Sequence, residues 1–291
     1  MNSTIAIRIA IAGVGGRMGR EIAAAAAGDP AFHIVGGIVR PGRGTEEAGW
    51  VSVAGTSAPH ARLTADPASL IPDAEALIDF SLPEAVVAHA RLCAEYEIPL
   101  VCGVTGLTPE QDAALRAAAA RTPVYVARNM SVGVGALLAI LPDLARLLPG
   151  YDIEIVETHH RRKQDAPSGT ALALAEALAG PEPDLIFGRQ GIAPRRAGEI
   201  GMHAVRGGGN PGEHTIVFSG EGDEVRVSHR AFGRRAYADG ALRAAAWLIG
   251  QRPGLYGPAD LRDPSPVLPR PALRAAEALA AADAAARTRS A

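Results

Sequence analysis

Short β-branched apolar runs alternate with longer Ala- and Leu-rich runs over residues 1–130. The apolar runs have the length and composition of strands and lie at residues 5–12, 32–39, 76–80, 98–102 and 124–126. The intervening runs have helical character and lie at residues 20–27, 83–96 and 109–121. Regular alternation of strand and helix predicts a parallel sheet with right-handed crossovers. Residues 44–72 are predicted to be mostly loop.

The pattern changes after Met130. A long helix is predicted from Ser131 to about Leu148, bent or interrupted at Pro142. A strand at 151–156 and a helix at 171–179 follow, and residues 180–200 are predicted to be loop. Short β-rich segments with glycine-bearing connections then predict a run of antiparallel strands at residues 203–206, 214–219 and 225–230.

This change of pattern divides the chain into predicted regions of an α/β protein. A helix at 234–249 returns after the second set of strands, so residues 236–262 are expected to pack on the domain formed by residues 1–130. Residues 131–235 form the second domain, which we expect to bind substrate and to mediate oligomerisation. Residues 263–291 are an Ala-rich C-terminal extension, either a peripheral helix or a frayed tail.

A glycine-rich turn, Gly13-Val14-Gly15-Gly16-Arg17-Met18-Gly19, directly follows the first strand. A strand, a glycine turn and a helix in this order form the context of a dinucleotide fingerprint, in which backbone N–H groups approach a pyrophosphate. The spacing fits G-x-x-G-x-x-G and not the strict G-x-G-x-x-G. The first domain is therefore predicted to bind a dinucleotide.

The end of the second strand favours a cofactor with a 2′-phosphate. A carboxylate at this place would hydrogen-bond the free ribose of NAD, but the chain reads Val39-Arg40-Pro41-Gly42-Arg43 and has no carboxylate until Glu46. Guanidinium groups bind phosphate well, so we expect NADPH to be preferred and NADH still to be used. The alternative is that Arg40 and Arg43 are exposed loop charges.

Two further loops follow strands of the predicted parallel sheet. Gly103-Val104-Thr105-Gly106 follows strand 98–102, and Ala127-Arg128-Asn129-Met130 follows strand 124–126. Ligands of such sheets bind beyond the carboxyl ends of the strands. Each loop is thus either a structural turn or part of the nucleotide site.

The densest group of titratable side chains is His159-His160-Arg161-Arg162-Lys163. It leads into the helix at 171–179, for which Ser168 is a plausible N-cap, and the N–H groups of Gly169 and Thr170 would face an anion. Imidazoles exchange protons near neutral pH. Together these features predict a small, multiply charged anionic substrate that is protonated during reaction. A charge run alone more often marks a solvated loop.

Composition excludes several classes of partner. The chain has 291 residues, a formal net charge of −2 and a pI near 6.5, which argues against a general nucleic-acid or anionic-membrane surface. Its apolar runs are far shorter than the roughly 20 residues of a membrane helix, and we expect a cytoplasmic protein. Cys93 and Cys102 are expected to be buried and reduced, and no metal site is predicted.

Four stretches resemble the dihydrodipicolinate reductase family, whose members are bacterial lysine-pathway enzymes acting on 4-hydroxy-tetrahydrodipicolinate. The most specific of them combines His-His-x-x-Lys with Asp-Ala-Pro-Ser-Gly-Thr, and Gly212-Glu213-His214-Thr215 adds support. The resemblance spans roughly residues 5–262, and its four stretches are 11–19, 103–106, 129–134 and 157–170.

The resemblance implies a Rossmann domain, a C-terminal α+β domain with an open mixed sheet, and a homotetramer. It also implies hydride transfer from NADPH or NADH to a cyclic imine dicarboxylate. By the family pattern His159 is the acid/base and Lys163 the proton donor. The implied substrate residues are Thr105, His160, Gly169 and Thr170, to which we add Ser168. The implied cofactor residues are Gly13, Val14, Gly15, Gly16, Arg17, Met18, Arg40, Gly103, Val104, Thr105, Ala127, Arg128, Asn129 and Met130.

Two positions depart from the family pattern, and two other functions compete with it. Val39 stands where an acidic residue is common, and Val104 where threonine is usual. One alternative is a different NADP-dependent imine or amino-acid reductase on the same scaffold. The other is an NADP-sensing regulator without catalysis, which would not need His159, Lys163 and Ser168 together.

Overall fold

The computed structural model describes residues 6–42 and 49–261. Within them the chain forms two compact units, the first built from residues up to Ala127 together with Ala238–Gly257. The second unit comprises Arg128–Tyr237 and residues 258–261. Arg43, Glu46 and the predicted C-terminal extension lie outside the described residues. The roles assigned to the two units stay predictions.

The secondary structure contains twelve strands and seven α-helices within the described ranges. The strands are β1 (Ile7–Ala12), β2 (Phe32–Ile38), β3 (Arg62–Thr64), β4 (Ala76–Asp79), β5 (Leu100–Cys102), β6 (Pro123–Val126), β7 (Asp152–His159), β8 (Leu185–Phe187), β9 (Ile200–Arg206), β10 (Glu213–Ser219), β11 (Glu224–Arg230) and β12 (Gly254–Tyr256). The helices are α1 (Arg17–Ala27), α2 (Trp50–Ala54), α3 (Pro83–Glu95), α4 (Pro109–Ala119), α5 (Val132–Leu147), α6 (Gly169–Ala179) and α7 (Arg235–Leu248). None of these helices is long and apolar enough to cross a membrane.

The first unit holds a seven-stranded sheet in the order β12-β6-β5-β4-β1-β2-β3. All of its strand pairs are parallel, which confirms the arrangement predicted from strand–helix alternation. Ile9 and Ala10 point to opposite faces of β1, and both are fully buried. Burial on both faces explains why the central strands are almost continuously apolar.

Several short elements of the described chain escaped the sequence prediction. The segment 44–72 contains α2 and β3, and the predicted loop at 180–200 contains β8. Strand β12 extends the first sheet by pairing in parallel with β6. Helix α1 also begins at Arg17, earlier than the predicted Arg20, because the helix starts inside the glycine-rich turn.

The second unit holds a five-stranded mixed sheet in the order β11-β10-β7-β9-β8. Strand β10 is antiparallel to β7 and β11, but β9 is parallel to both β7 and β8. The prediction of a purely antiparallel run is therefore wrong for residues 203–206, whereas the open mixed sheet is confirmed. The connection from β7 to β9 carries α6 and β8, which gives the length that a parallel crossover needs.

Helices α5 and α6 pack with this sheet around a second hydrophobic core. Its fully buried members include Leu141, Ile155, Leu174 and Phe218. Strand β7 is longer than predicted and ends at His159, because its polar last residues pair with β9 on one side and β10 on the other. His159 therefore belongs to a strand and not to the loop that follows.

Candidate active site

The predicted nucleotide residues of the first unit lie along one edge of its sheet. Backbone N–H groups of four successive turns donate to carbonyl oxygens at the ends of neighbouring strands, which ties the turns together. The bonds are Gly13 N to Ile38 O (2.9 Å), Phe80 N to Ala12 O (3.1 Å), Gly103 N to Asp79 O (2.9 Å) and Ala127 N to Cys102 O (3.2 Å). This is the carboxyl edge, where parallel sheets bind ligands.

The glycine turn leaves no room for a side chain at Gly13 and leads directly into α1. Gly13 has φ +74°, and a Cβ there would lie 2.5 Å from the carbonyl oxygen of Phe80, so a side chain is excluded. Helix α1 begins after Gly16, which offers no side-chain cap, and its first turn holds no acidic residue. Its free N–H groups and positive end are therefore open to an anion.

Among the other predicted residues of the first unit, Arg40 and Thr105 are exposed, whereas Val104 and Ala127 are buried. Arg40 is the second residue after β2 and is exposed, whereas Val39, the first, is buried and its side chain has no polar atom to offer a ribose hydroxyl. Thr105 is exposed in the loop after β5. Thr105 belongs to the first unit, and the other predicted substrate residues belong to the second.

The loop before α5 joins two predicted sites within the second unit. Asn129 was predicted to contact the cofactor and Thr170 the substrate, and the side-chain amide of Asn129 donates to Thr170 Oγ1 at 3.0 Å. The amide oxygen of Asn129 accepts from the backbone N–H of Ser131 at 2.9 Å. Asn129 is thereby fixed in orientation, with its nitrogen directed at the start of α6.

His159 is held by a buried carboxylate. Its Nδ1 lies 2.5 Å from Glu157 Oε2, and Glu157 is 0% exposed. The guanidinium of Arg206 donates to both oxygens of Glu157, at 2.8 and 2.7 Å. Paired in this way, Glu157 accepts a hydrogen bond from the protonated Nδ1 of His159. The other ring nitrogen, Nε2, is left to interact with other groups.

The local charges set the protonation states of this pair. Burial opposes ionisation of Glu157, but hydrogen bonds from Arg206 and His159 outweigh it and hold the pKa of the carboxyl below its ordinary value. Burial also dominates at His159 and, despite Glu157, lowers the pKa of its imidazole. At neutral pH the pair is therefore a carboxylate and a neutral imidazole.

Lys163 is held in place by a neighbouring carboxylate. Its Nζ donates to both oxygens of Asp165, at 2.8 and 2.9 Å. Burial tends to raise the pKa of Asp165, but the bond from Lys163 lowers it overall. The lysine side chain is 20% exposed and that of Asp165 60%, so the ammonium is oriented without being sealed from solvent.

Ser168 caps α6 as predicted. Its hydroxyl accepts from the backbone N–H of Ala171 at 3.1 Å, and its own N–H donates to Glu157 Oε1 at 3.0 Å. The cap uses the N–H of Ala171, which leaves those of Gly169 and Thr170 at the open end of the helix. These two N–H groups are the donors on which the predicted anion site depends.

Two further histidines stand beside this centre. His214 Nε2 lies 3.0 Å from the hydroxyl of Ser168, and its ring meets that of His159 edge-on at 5.2 Å. Burial, followed by repulsion from His159, lowers the pKa of His214 to about 4, so it is neutral. His160 was predicted to bind substrate, and its Nδ1 is buried without a hydrogen-bond partner among the described residues.

Sequence reasoning gave no role to Glu157, Arg206 or His214. The signal that identifies them is strand register: Arg206 lies opposite His159, and His214 lies opposite Glu157. That pairing became visible only with the sheet. The arrangement as a whole can orient an imidazole and an ammonium beside a helix N-terminus, which suits proton transfer to a bound anion.

Comparisons with known proteins identify the same family over most of the chain. The model described as "Dihydrodipicolinate reductase, N-terminus" matches residues 7–130, and "Dihydrodipicolinate reductase, C-terminus" matches residues 133–261. The 4-hydroxy-tetrahydrodipicolinate reductase of Rubrobacter xylanophilus is 46% identical over 266 residues, which is 89% of this chain and 100% of that protein. The Myxococcus xanthus protein of the same name is 44% identical, over 88% of this chain and 97% of its own.

A solved structure of a dihydrodipicolinate reductase has a similar fold. The dipicolinate-bound dihydrodipicolinate reductase from Paenisporosarcina sp. TG-14 is 25% identical in sequence and has a TM-score of 0.73. The similarity covers 88% of this chain and 99% of that one. Both units of the fold therefore have counterparts in a single known enzyme structure.

Proposed function

Because this chain belongs to the dihydrodipicolinate reductase family, we propose that it reduces 4-hydroxy-tetrahydrodipicolinate, by way of dihydrodipicolinate, to tetrahydrodipicolinate in lysine and diaminopimelate biosynthesis. The observation that carries the proposal is the Glu157-held imidazole of His159, which lies on the strand leading to the open start of α6. An imidazole and a helix N-terminus together suit an anion that must exchange protons.

The residues of the second unit divide the work between binding and proton transfer. The N–H groups of Gly169 and Thr170, aided by the helix dipole, hold one carboxylate of the substrate. Lys163, oriented by Asp165, donates a proton to the ring as negative charge builds on it. His159 exchanges its proton through Nε2, while Glu157 stabilises the imidazolium that forms.

The first unit holds the nucleotide. The glycine turn and the start of α1 would receive the pyrophosphate, and Gly103 to Thr105 and Ala127 would add the other cofactor contacts of this unit. Arg128, Asn129 and Met130, which are also predicted cofactor residues, belong to the second unit. NADPH or NADH supplies the hydride when bound. Arg40 pairs with a 2′-phosphate, which makes NADPH the preferred cofactor by roughly a few-fold to tenfold in KM, since tenfold needs about 1.4 kcal/mol. We further propose that the enzyme works as a cytoplasmic homotetramer.

The activity is tested by following NADPH oxidation with the product of aspartate-semialdehyde and pyruvate condensation. We expect turnover only when that product is supplied. A different imine reductase would turn over other cyclic imines as fast, and an NADP-sensing regulator would bind nucleotide without turnover. Either result would reject the proposal.

The catalytic roles are tested with His159→Gln and Lys163→Ala. Each should lower kcat by about 10²–10⁴-fold, as loss of a proton-transfer group does, and leave nucleotide affinity nearly unchanged. His203→Gln is the matched control, because His203 also bonds a glutamate, Glu154, at 2.6 Å in the same sheet. Near-normal kcat in both site variants would show that residues 159–163 have no catalytic role and form only a solvated basic loop.

Cofactor preference is tested with Arg40→Ala. The ratio of kcat/KM for NADPH to that for NADH should fall toward one, and added salt should reduce it in the wild type. Arg91→Ala, which removes another exposed arginine of the first unit, should leave the ratio unchanged. Equal or better kcat/KM with NADH in the wild type at low salt would show that Arg40 does not face the ribose.

A further inference from the structure

A glycine separates His159 from a tyrosine that the mechanism above does not use. Gly212 has φ +153°, and a Cβ built on it would lie 3.1 Å from His159 Nε2 and 3.3 Å from Tyr237 Oη. The imidazole nitrogen and the phenol oxygen thus approach the same backbone position. Any side chain at residue 212 would occupy the space in front of both.

The two polar atoms are spaced for a shared partner. Since both distances are measured to one point, Nε2 and Oη are at most roughly 6.4 Å apart, and separations that one oxygen bridges with two bent hydrogen bonds of about 2.7–3.2 Å lie inside this limit. Gly212 is itself fixed, because its N–H donates to Asn210 Oδ1 at 2.9 Å and its carbonyl accepts from Ala231 N at 2.9 Å. The position of Gly212 between the two side chains is therefore fixed by the turn.

Protonation states restrict what the partner can be. His159 Nδ1 carries the proton shared with Glu157, so Nε2 of the neutral ring is an acceptor. Burial raises the pKa of Tyr237, so its hydroxyl stays protonated and can donate. A group between them must donate to Nε2 and accept from Oη, which a carboxylate cannot do and an O–H group can.

We propose that Tyr237 is a further binding residue of the active site, and that its hydroxyl and His159 Nε2 together hold one O–H group. That group is the ring hydroxyl of 4-hydroxy-tetrahydrodipicolinate or a water bound at the same place. The inference rests on the proposed function and extends it, because it gives His159 a defined hydrogen-bond partner on its reactive side.

The test is Tyr237→Phe, which removes the hydroxyl and keeps the ring. Loss of one hydrogen bond between uncharged groups should lower kcat/KM for the substrate by about tenfold. Gly212→Ala, which puts a methyl group into the shared space, should lower it at least as much. Tyr256→Phe is the matched control: its hydroxyl bonds the carbonyl of Arg252 in the first unit, and kcat/KM should not change.

Inhibition by dipicolinate, which has no ring hydroxyl, separates the two sources of the O–H group. An unchanged inhibition constant in Tyr237→Phe, with kcat/KM reduced, assigns the group to the substrate. A parallel weakening of both assigns it to water. A kcat/KM within twofold of wild type in Tyr237→Phe overturns the inference. Wild-type protein without turnover would instead reject the proposed function, and the inference with it.

Discussion

Replacing Arg206 by methionine should expose how strongly the site depends on one buried ion pair. Arg206 donates to both oxygens of Glu157 and also to the backbone carbonyl of Asp165 at 2.7 Å. The arginine side chain is 19% exposed and the glutamate 0%. Arg206→Met keeps an apolar stem of similar length but leaves a carboxylate in a buried position without its cation.

The expected loss is large because the remaining charge cannot reach solvent. Removing one partner of a buried pair typically costs about 3–5 kcal/mol. Two other donors to Glu157 remain, His159 Nδ1 and the N–H of Ser168, so we expect about 3 kcal/mol, at the lower end. Activity should fall too, because a glutamate that takes up a proton no longer fixes Nδ1 of His159 as the donor.

The loss should depend on pH in a defined direction. In the wild type the folded pKa of Glu157 is lowered, so its stabilising contribution is present above the ordinary value of 4.5 and is lost as pH falls through the folded pKa. In Arg206→Met burial should raise that pKa above the ordinary value. The difference in unfolding free energy is therefore greatest at a pH above the raised pKa of the variant. It begins to shrink as pH falls through that raised pKa and goes on shrinking until the pH reaches the lowered pKa of the wild type.

Urea denaturation followed by circular dichroism, at about pH 7.5 and at decreasing pH, measures this difference. The double variant Glu157→Gln/Arg206→Met should recover part of the loss, because no unpaired charge remains. Arg226→Met is the matched control: its partner Glu224 is exposed, and loss of an exposed pair should change the unfolding free energy little. A loss below about 1 kcal/mol at neutral pH, with no recovery in the double variant, would refute the reasoning.

Three other single substitutions should have smaller effects. Asp165→Asn should lower kcat by less than about fivefold in steady-state assays, because an exposed ion pair is worth about 0.2–1 kcal/mol; a loss as large as that of Lys163→Ala would contradict this. His214→Asn should flatten the fall in unfolding free energy as pH drops from 6.5 to about 4, since a histidine kept neutral by burial costs stability over that window; an unchanged slope would show that His214 charges freely. Thr108→Ala removes a capping box with Gln111 and should lower the unfolding free energy measured by urea denaturation by about 1 kcal/mol; no loss would mean that the cap of α4 does not contribute to global stability.

The large elements were predictable because their patterns are strong and local. Strands β1, β4 and β5 are apolar runs bounded by turns, and the helices between them have the length that crossovers need. Strands β3, β8 and β12 have three residues each, as β5 does, but they lack the longer strand-like run 98–102 that made β5 recognisable. A run of three residues carries no measurable period, so only pairing with an existing sheet edge makes these segments strands.

The direction of pairing in the second sheet was harder to predict for the same reason. Strands β9, β10 and β11 follow one another with short connections after β9, which suggests hairpins. However, β9 pairs with β7 and not with β10. Local sequence predicts a strand at residues 203–206, but its neighbour is chosen by which edge of β7 is free, and that is a property of the whole sheet.

The active site shows the same division between local and non-local information. The run from His159 to Thr170 was visible as a motif, but the residues that tune it come from β9 and β10. Arg206 is aligned with His159 and His214 with Glu157 only because β7 lies between those two strands. No spacing along the chain encodes this, since it results from strand register.

The number of hydrogen bonds at Glu157 decides its role. An ionised carboxylate offers about four acceptor positions, and here each oxygen takes two donors: Oε1 from Arg206 and the N–H of Ser168, and Oε2 from Arg206 and His159. With its acceptor positions filled and a lowered pKa, Glu157 has no free lone pair with which to take a proton from a substrate. It orients and stabilises its neighbours, so in the proposed mechanism this histidine–glutamate pair exchanges protons through Nε2 of His159, the side that Gly212 and Tyr237 face.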